Sequence, residues 1–380
     1  MATYIWQRED WPSFRWDVGA LLSPLADARH RQGLFLGKMR ELGIDGRLEA
    51  ELVALTEDVE KTSAIEGEVL NPSSIRSSIA RRLGIADAGL GPIDRKVEGV
   101  VEIVLDAAKN HAAPLTDERI FGWHAALFPT GYSGKDRIDV ARWRTDRHGA
   151  MQVVSGTFSP APVVHFEAPP AGSVPGEMAA FLAWFNAARP IDPLLRAGLA
   201  HLWFVTIHPM DDGDGRIARA IADLATAQAE RSGQRFYSMS GAIERDKRRY
   251  YAALEAAQRG DLDITDWLLW FFECYVRAIA AAEATTDRVF TRARFWMAQD
   301  GAPPFSERQR KVLTKLLDGF EGNLTTKKWA SICGCSADTA LRDINDLVTR
   351  GLLVRNPGGS KNTSFTFHWP STQPPDTPTG

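Results

Sequence analysis

Between two long apolar runs the chain inserts His208-Pro209-Met210-Asp211-Asp212-Gly213-Asp214-Gly215-Arg216-Ile217-Ala218-Arg219. The run before it (Leu194 to Ile207) and the run after it (Ile217 to Ala225) both read as helices. The fold must therefore join a helix end to a helix start through one tight loop. Gly213 and Gly215 allow a sharp turn and a close ligand approach, and the free N–H groups of the next helix face whatever anion sits there. Arg216 and Arg219 lie one turn apart, so both guanidiniums can reach one polyphosphate. Asp212 is a hard oxygen ligand placed where a phosphate-bound Mg²⁺ would sit, and His208 supplies a general base. Together these groups point to nucleotidyl or phosphoryl transfer. A plain helix connection needs one glycine and neither a histidine nor paired arginines.

The segment resembles the Fic family motif, His-Pro-Phe-x-Asp-Gly-Asn-Gly-Arg-x-x-Arg, with Met210 in place of Phe and Asp214 in place of Asn. Met210 keeps a large apolar anchor. Asp214 places a carboxylate beside the expected phosphates and loses an amide donor. It would help hold the metal, slow the enzyme or change the nucleotide preference. The resemblance implies that a Ser, Thr or Tyr hydroxyl attacks the α-phosphate of ATP, leaving AMP on the target and releasing pyrophosphate. In that scheme His208 takes the hydroxyl proton and Asp212 holds Mg²⁺. The Gly213–Gly215 backbone cradles the α- and β-phosphates, with Asp214 beside them. Arg216 binds the β-phosphate and Arg219 the γ-phosphate.

Far upstream, Thr62-Ser63-Ala64-Ile65-Glu66-Gly67 resembles the inhibitory motif of the same family, Ser/Thr-x-x-x-Glu-Gly/Asn. It ends a helical pattern marked by Leu48, Leu52, Leu55 and Val59, and Gly67 is the expected helix stop. The resemblance implies that Glu66, with Thr62 and Gly67, occupies the Arg219 guanidinium that the γ-phosphate needs. Between the two motifs, residues 151–155 and 161–166 are β-prone runs, a hairpin pattern in an otherwise helical chain. In the family a hairpin at this point is a flap that holds the target segment by strand addition, which would make Val153, Val154 and Ser155 the docking edge. The alternative is a structural hairpin that covers the core. Arg142-Trp143-Arg144 resembles the Trp/Tyr-Arg that leads into the flap. Tyr250 and Tyr251 resemble the family's nucleotide-side helix, although Tyr251, Leu254 and Gln258 also fit core spacing.

The expected architecture is mainly α: an N-terminal helical domain (1–95) carrying the inhibitory helix, a Fic-type helical bundle core with a small β-hairpin flap (96–287), a linker (288–304), a winged-helix domain (305–370) and a disordered tail (371–380). The winged helix follows from helical patterns at Ser306–Leu317, Thr326–Ile332 and Ser336–Arg350, then Leu352–Arg355, a turn and Ser364–Phe367. Its basic residues suit DNA, whereas Asp338, Asp343 and Asp346 near the reading helix would repel phosphate, and winged helices also serve as protein-docking modules, so its expected partner is DNA or a protein. A net charge of −3 gives no global sign of nucleic-acid or membrane affinity, and no run reaches the length of a membrane span. The N-terminus has no secretory pattern, and three cysteines form neither a zinc site nor a disulfide framework, so cytoplasm is the expected compartment.

The functional expectation is an autoinhibited protein adenylyltransferase using ATP and Mg²⁺, acting on a Ser, Thr or Tyr hydroxyl of a protein target or of itself, with AMP removal a further activity and a homodimer the expected assembly. The alternative is a DNA-binding transcriptional regulator whose Fic core senses nucleotide.

Overall fold

Helical periodicity governs most of this chain, and the strands it contains are short. The computed structural model describes residues 3–85, 94–145, 147, 149–155, 163–299, 301–317, 319–320, 322–357 and 363–368. The tail from 371, the hairpin connection at 156–162 and the turn at 358–360 lie outside the described residues.

Two compact units are present, Met1–Ala284 and Thr285–Gly380. The first opens with α1 (Val18–Arg40), α2 (Ile44–Ile65), α3 (Pro72–Arg82), α4 (Arg95–Lys109) and α5 (Asp117–Leu127). Two antiparallel strand pairs follow, β1 (Tyr132–Ser133) with β2 (Asp136–Arg137) and β3 (Gln152–Ser155) with β4 (Val163–Glu167). Then come α6 (Val174–Asn186), α7 (Pro193–Ile207), α8 (Asp214–Glu230), α9 (Met239–Arg245), α10 (Lys247–Gln258) and α11 (Thr265–Ala298), whose residues from Thr285 onward belong to the second unit. The segments expected as separate domains at 1–95 and 96–287 pack together in this unit, because α2 lies against α4 and α9 as well as α3.

α7 is apolar on every side and is buried from Leu194 to Leu195 and from Ala197 to Ile207, as an all-round hydrophobic helix must be. Each fully buried side chain such as Leu202 or Phe204 contributes roughly 1.5–3 kcal/mol. α8 packs along it, so the loop between them is fixed at both ends by the core. Gly99 on α4 permits the close approach of α5: a Cβ there would overlap the Ala126 carbonyl. α2 is tied down by polar contacts as well as by Leu52, Leu55 and Val59. Buried Asp58 accepts from Ser238 Oγ at 2.6 Å and from the Ser240 N–H at 3.1 Å, closing the start of α9.

The second unit holds α12 (Glu307–Leu317), β5 (Leu324–Thr325), α13 (Thr326–Cys333), α14 (Ala337–Thr349), β6 (Leu353–Arg355) and β7 (Ser364–Phe367). Its sheet is antiparallel in the order β5-β7-β6. α14 starts on a complete cap, Ser336 Oγ accepting from the Thr339 N–H at 3.2 Å. The expected linker at 288–304 is corrected here: α11 stays helical through Ala298, and Phe295 is buried in the second unit's core beside Trp329 and Leu313. No breaker interrupts α11 before the turn at Gly301, whose φ is +86°. Among the described residues no helix is long and apolar enough to cross a membrane.

Candidate active site

The helix–loop–helix read from the sequence is present, and its backbone is unusual where the chemistry was expected. His208 ends α7 in the left-handed region (φ 51°, ψ 59°), rare for a residue with a side chain and typical of functional sites. Arg144 holds it there, donating from Nε to the His208 carbonyl at 2.7 Å while its N–H bonds the Pro209 carbonyl. This gives the Arg142-Trp143-Arg144 segment a physical task. Met210 is fully buried and anchors the loop, as its apolar character predicts. Gly213 has φ 87°, and a Cβ there would press against Phe128 and Leu127 of the α5 end. His124 on α5 donates from Nε2 to the Asp212 carbonyl at 3.0 Å, because its Nδ1 already accepts from the Ala141 N–H. Burial lowers the pKa of His124, which fits this neutral donor–acceptor role.

His208 Nδ1 lies 3.2 Å from the Val205 carbonyl, which only accepts, so Nδ1 carries a proton and Nε2 is the ring nitrogen left for other partners. Nε2 faces Asp214 Oδ2 at 3.3 Å. The expectation that Asp214 stands beside the phosphates is corrected by this contact. α8 begins at Asp214, and its side chain turns inward, fully buried, with Oδ1 accepting from the Met210 N–H at 3.0 Å. Burial pushes its pKa up to about 6, against the opposing pull of His208 and the Met210 N–H.

Asp212 remains half-open. It accepts from the Gly213 N–H at 2.5 Å and from Ser133 Oγ, and Arg216 Nη2 lies 4.0 Å from Oδ1. Arg216 is buried against the Phe128 ring, and its Nε has no partner among the described residues. α8 starts on Gly213 and so has no side chain to cap its first turn.

A carboxylate from another helix stands over that turn. Glu66 Oε1 accepts from Arg219 Nη2 at 2.8 Å, and a Cβ on Gly215 would overlap the same carboxylate. Thr62 completes the grip, its Oγ1 and carbonyl accepting from Arg219 Nε and Nη2 at 2.8 and 2.9 Å. Gly67 (φ 83°) reverses the chain after α2, as expected of a helix stop. The sequence reading missed what this reversal does next: Glu68 Oε2 lies 2.9 Å from Arg216 Nη1. Both arginines of the loop motif are thus engaged by carboxylates two residues apart.

Glu66, His208, Asp211, Asp212 and Gly215 line a cavity of about 790 Å³, with residues 151–155 of the hairpin on one side and α10 on another. Tyr250 and Tyr251 both reach it, though they differ. Tyr250 is buried and shares a 3.0 Å hydrogen bond with His201, whose pKa burial and then Arg219 lower to about 3. Tyr251 is 40% exposed and lines the cavity with its ring beside Tyr250 and under Lys247 Nζ, 5.8 Å from the ring centre. Val153, Val154 and Ser155 lie on β3, which pairs only with β4 and leaves its other edge open among the described residues.

Comparison with known proteins follows the same outline. Residues 114–226 match the Fic/DOC family. The chain carries a Fic/DOC family domain. Residues 4–85, which include α2 and Glu66, match a second family described as a domain of unknown function, DUF4172. Over 130 residues the chain is 33% identical to protein adenylyltransferase fic-1 of Caenorhabditis briggsae, and over 129 residues 33% identical to that of Caenorhabditis elegans. Each match covers 33% of this chain and 22% of the relative's length, so the chain spans about a fifth of the curated relatives it matches. The fold is shared with a Fic family protein from Desulfovibrio desulfuricans G20 at a TM-score of 0.56 and 17% identity, covering 92% of this chain and 96% of that one.

Proposed function

We propose that this Fic protein is an adenylyltransferase that moves AMP from ATP to a protein hydroxyl and is held inactive by its own α2. The observation that carries the reading is Glu66 seated on Arg219 and over Gly215, at the uncapped start of α8 beside His208. An anion already occupies the place where the loop's backbone N–H groups and arginines would take a triphosphate.

On release of Glu66 from Arg219 and of Glu68 from Arg216, the two arginines are free to bind the outer phosphates, and the α8 start cradles the inner ones. His208 Nε2 then accepts the proton of the attacking hydroxyl, with the Nδ1 contact to Val205 keeping the ring in the right tautomer. The hydroxyl oxygen bonds to the α-phosphorus as the bond to pyrophosphate breaks. Mg²⁺ takes one or two carboxylates together with substrate phosphates and waters, and Asp212 is the accessible ligand. When bound there, Mg²⁺ would neutralise charge on the leaving pyrophosphate. Incubation with ATP labelled at the α- or the γ-phosphate tests the reading: label from the α position alone must become protein-bound. Transfer of the γ-label would make the protein a kinase instead.

The second unit supports a second activity, DNA binding through a winged helix. Its three helices and antiparallel ribbon suit that role, and two of the acids expected to repel phosphate are already paired. Asp343 pairs with Arg308 at 2.8 Å and Asp346 with Arg350 at 3.0 Å. A duplex-DNA mobility shift that weakens steeply with salt is the expected result.

A further inference from the structure

The hairpin carries a second set of reactive groups that the reaction above does not use. Ser155 Oγ lies 2.7 Å from His165 Nε2, and His165 Nδ1 lies 3.1 Å from Glu255 Oε2 on α10. An ionised carboxylate only accepts, so the proton of the imidazole sits on Nδ1 and Nε2 is left to accept from the Ser155 hydroxyl. Hydroxyl, imidazole and carboxylate in that order turn a serine into a nucleophile.

The backbone is shaped to bring them together. Val153 pairs with Phe166 but Val154 with Val164, which leaves His165 as the extra residue of a β-bulge. Bulges re-aim a side chain. Arg259 secures the bulge and the carboxylate at once, donating to the His165 carbonyl at 3.0 and 3.2 Å and pairing with Glu255 Oε1 at 3.3 Å. Ser155 is exposed, and Ser155, His165 and Glu255 line the cavity that His208, Asp212 and Gly215 also line.

We propose that Ser155 is an acceptor of AMP, a self-modification site on the flap with His165 as its base and Glu255 orienting the imidazole. The proposal rests on the AMP-transfer reading. Ser155 Oγ bonds to the α-phosphorus of ATP, the bond from that phosphorus to pyrophosphate breaks, and the hydroxyl proton passes to His165 Nε2. The products are adenylylated Ser155 and pyrophosphate.

The test uses the full chain carrying Glu66→Gly, beside wild type, with ATP and Mg²⁺. Pyrophosphate release and the adenylylated residue, mapped by peptide mass spectrometry, are read together. The expected result is pyrophosphate with the main adduct on Ser155, an adduct that falls on the order of a hundredfold in His165→Gln. Pyrophosphate with the adduct on other residues, or undiminished Ser155 labelling in His165→Gln, overturns the proposal and leaves AMP transfer standing. Neither pyrophosphate nor adduct in both proteins removes the transfer reading, and this proposal with it.

Discussion

Two helices in this chain begin in opposite ways. α14 starts on Ser336, whose hydroxyl accepts from the Thr339 N–H, so the helix closes its own first turn. α8 starts on Gly213, which has nothing to offer, and over its uncapped turn stands Glu66, held there by Arg219. A start completed from within is finished architecture. A start left open beneath a distant carboxylate is a site held by a substitute, because whatever displaces that carboxylate inherits the arginine beneath it.

The sharpest way to break the comparison is His208→Ala in the Glu66→Gly background. AMP transfer should fall on the order of 10²–10⁴-fold while ATP affinity by calorimetry stays close to that of the parent. Transfer at the parent rate would remove His208 as base. Glu66→Gly alone should raise labelling roughly ten- to a hundredfold, since a charge-assisted contact of about 1.5–3 kcal/mol no longer competes with the γ-phosphate. Arg219→Ala should cancel that gain, and equal labelling by wild type and Glu66→Gly would reduce α2 to scaffold. Asp214→Asn can keep the Met210 bond but removes the carboxylate facing His208 Nε2, so turnover should rise, by up to about tenfold; a slower variant at saturating Mg²⁺ would show that the acid assists the base. Glu68→Gln should tighten ADP binding by only about two- to fivefold, because this pair is half-open to solvent. Ser336→Ala should leave labelling untouched and lower the stability of the second unit by about 1 kcal/mol, read in a denaturant melt. If it altered labelling instead, the contrast between the two helix starts would fail.

Local signals carried much of this far. The loop motif, the Glu66 motif and the helical periods are contiguous in sequence, and the structure brings Glu66 onto Arg219 as the resemblance implied. The pairing of Glu68 with Arg216 was illegible because the partners are far apart in sequence and depend on the turn at Gly67, not on a motif. Asp214 was misread for a related reason. Its position in the motif suggests a place beside the phosphates, but the direction of the first helical residue sends its side chain inward, onto the Met210 N–H. β5 and the β1–β2 pair are two-residue strands, too short for any period to show.

Gly99 sets a dimension as well as a contact. The distance between α4 and α5 decides where Leu127, Phe128 and His124 stand, and these press on Gly213 and hold the Asp212 carbonyl. A methyl group at Gly99 would act as a shim, tilting the floor of the phosphate loop without touching any ligand. In a saturation mutagenesis map scored by labelling, this glycine on the far side of α5 would therefore stand among the residues of the catalytic loop.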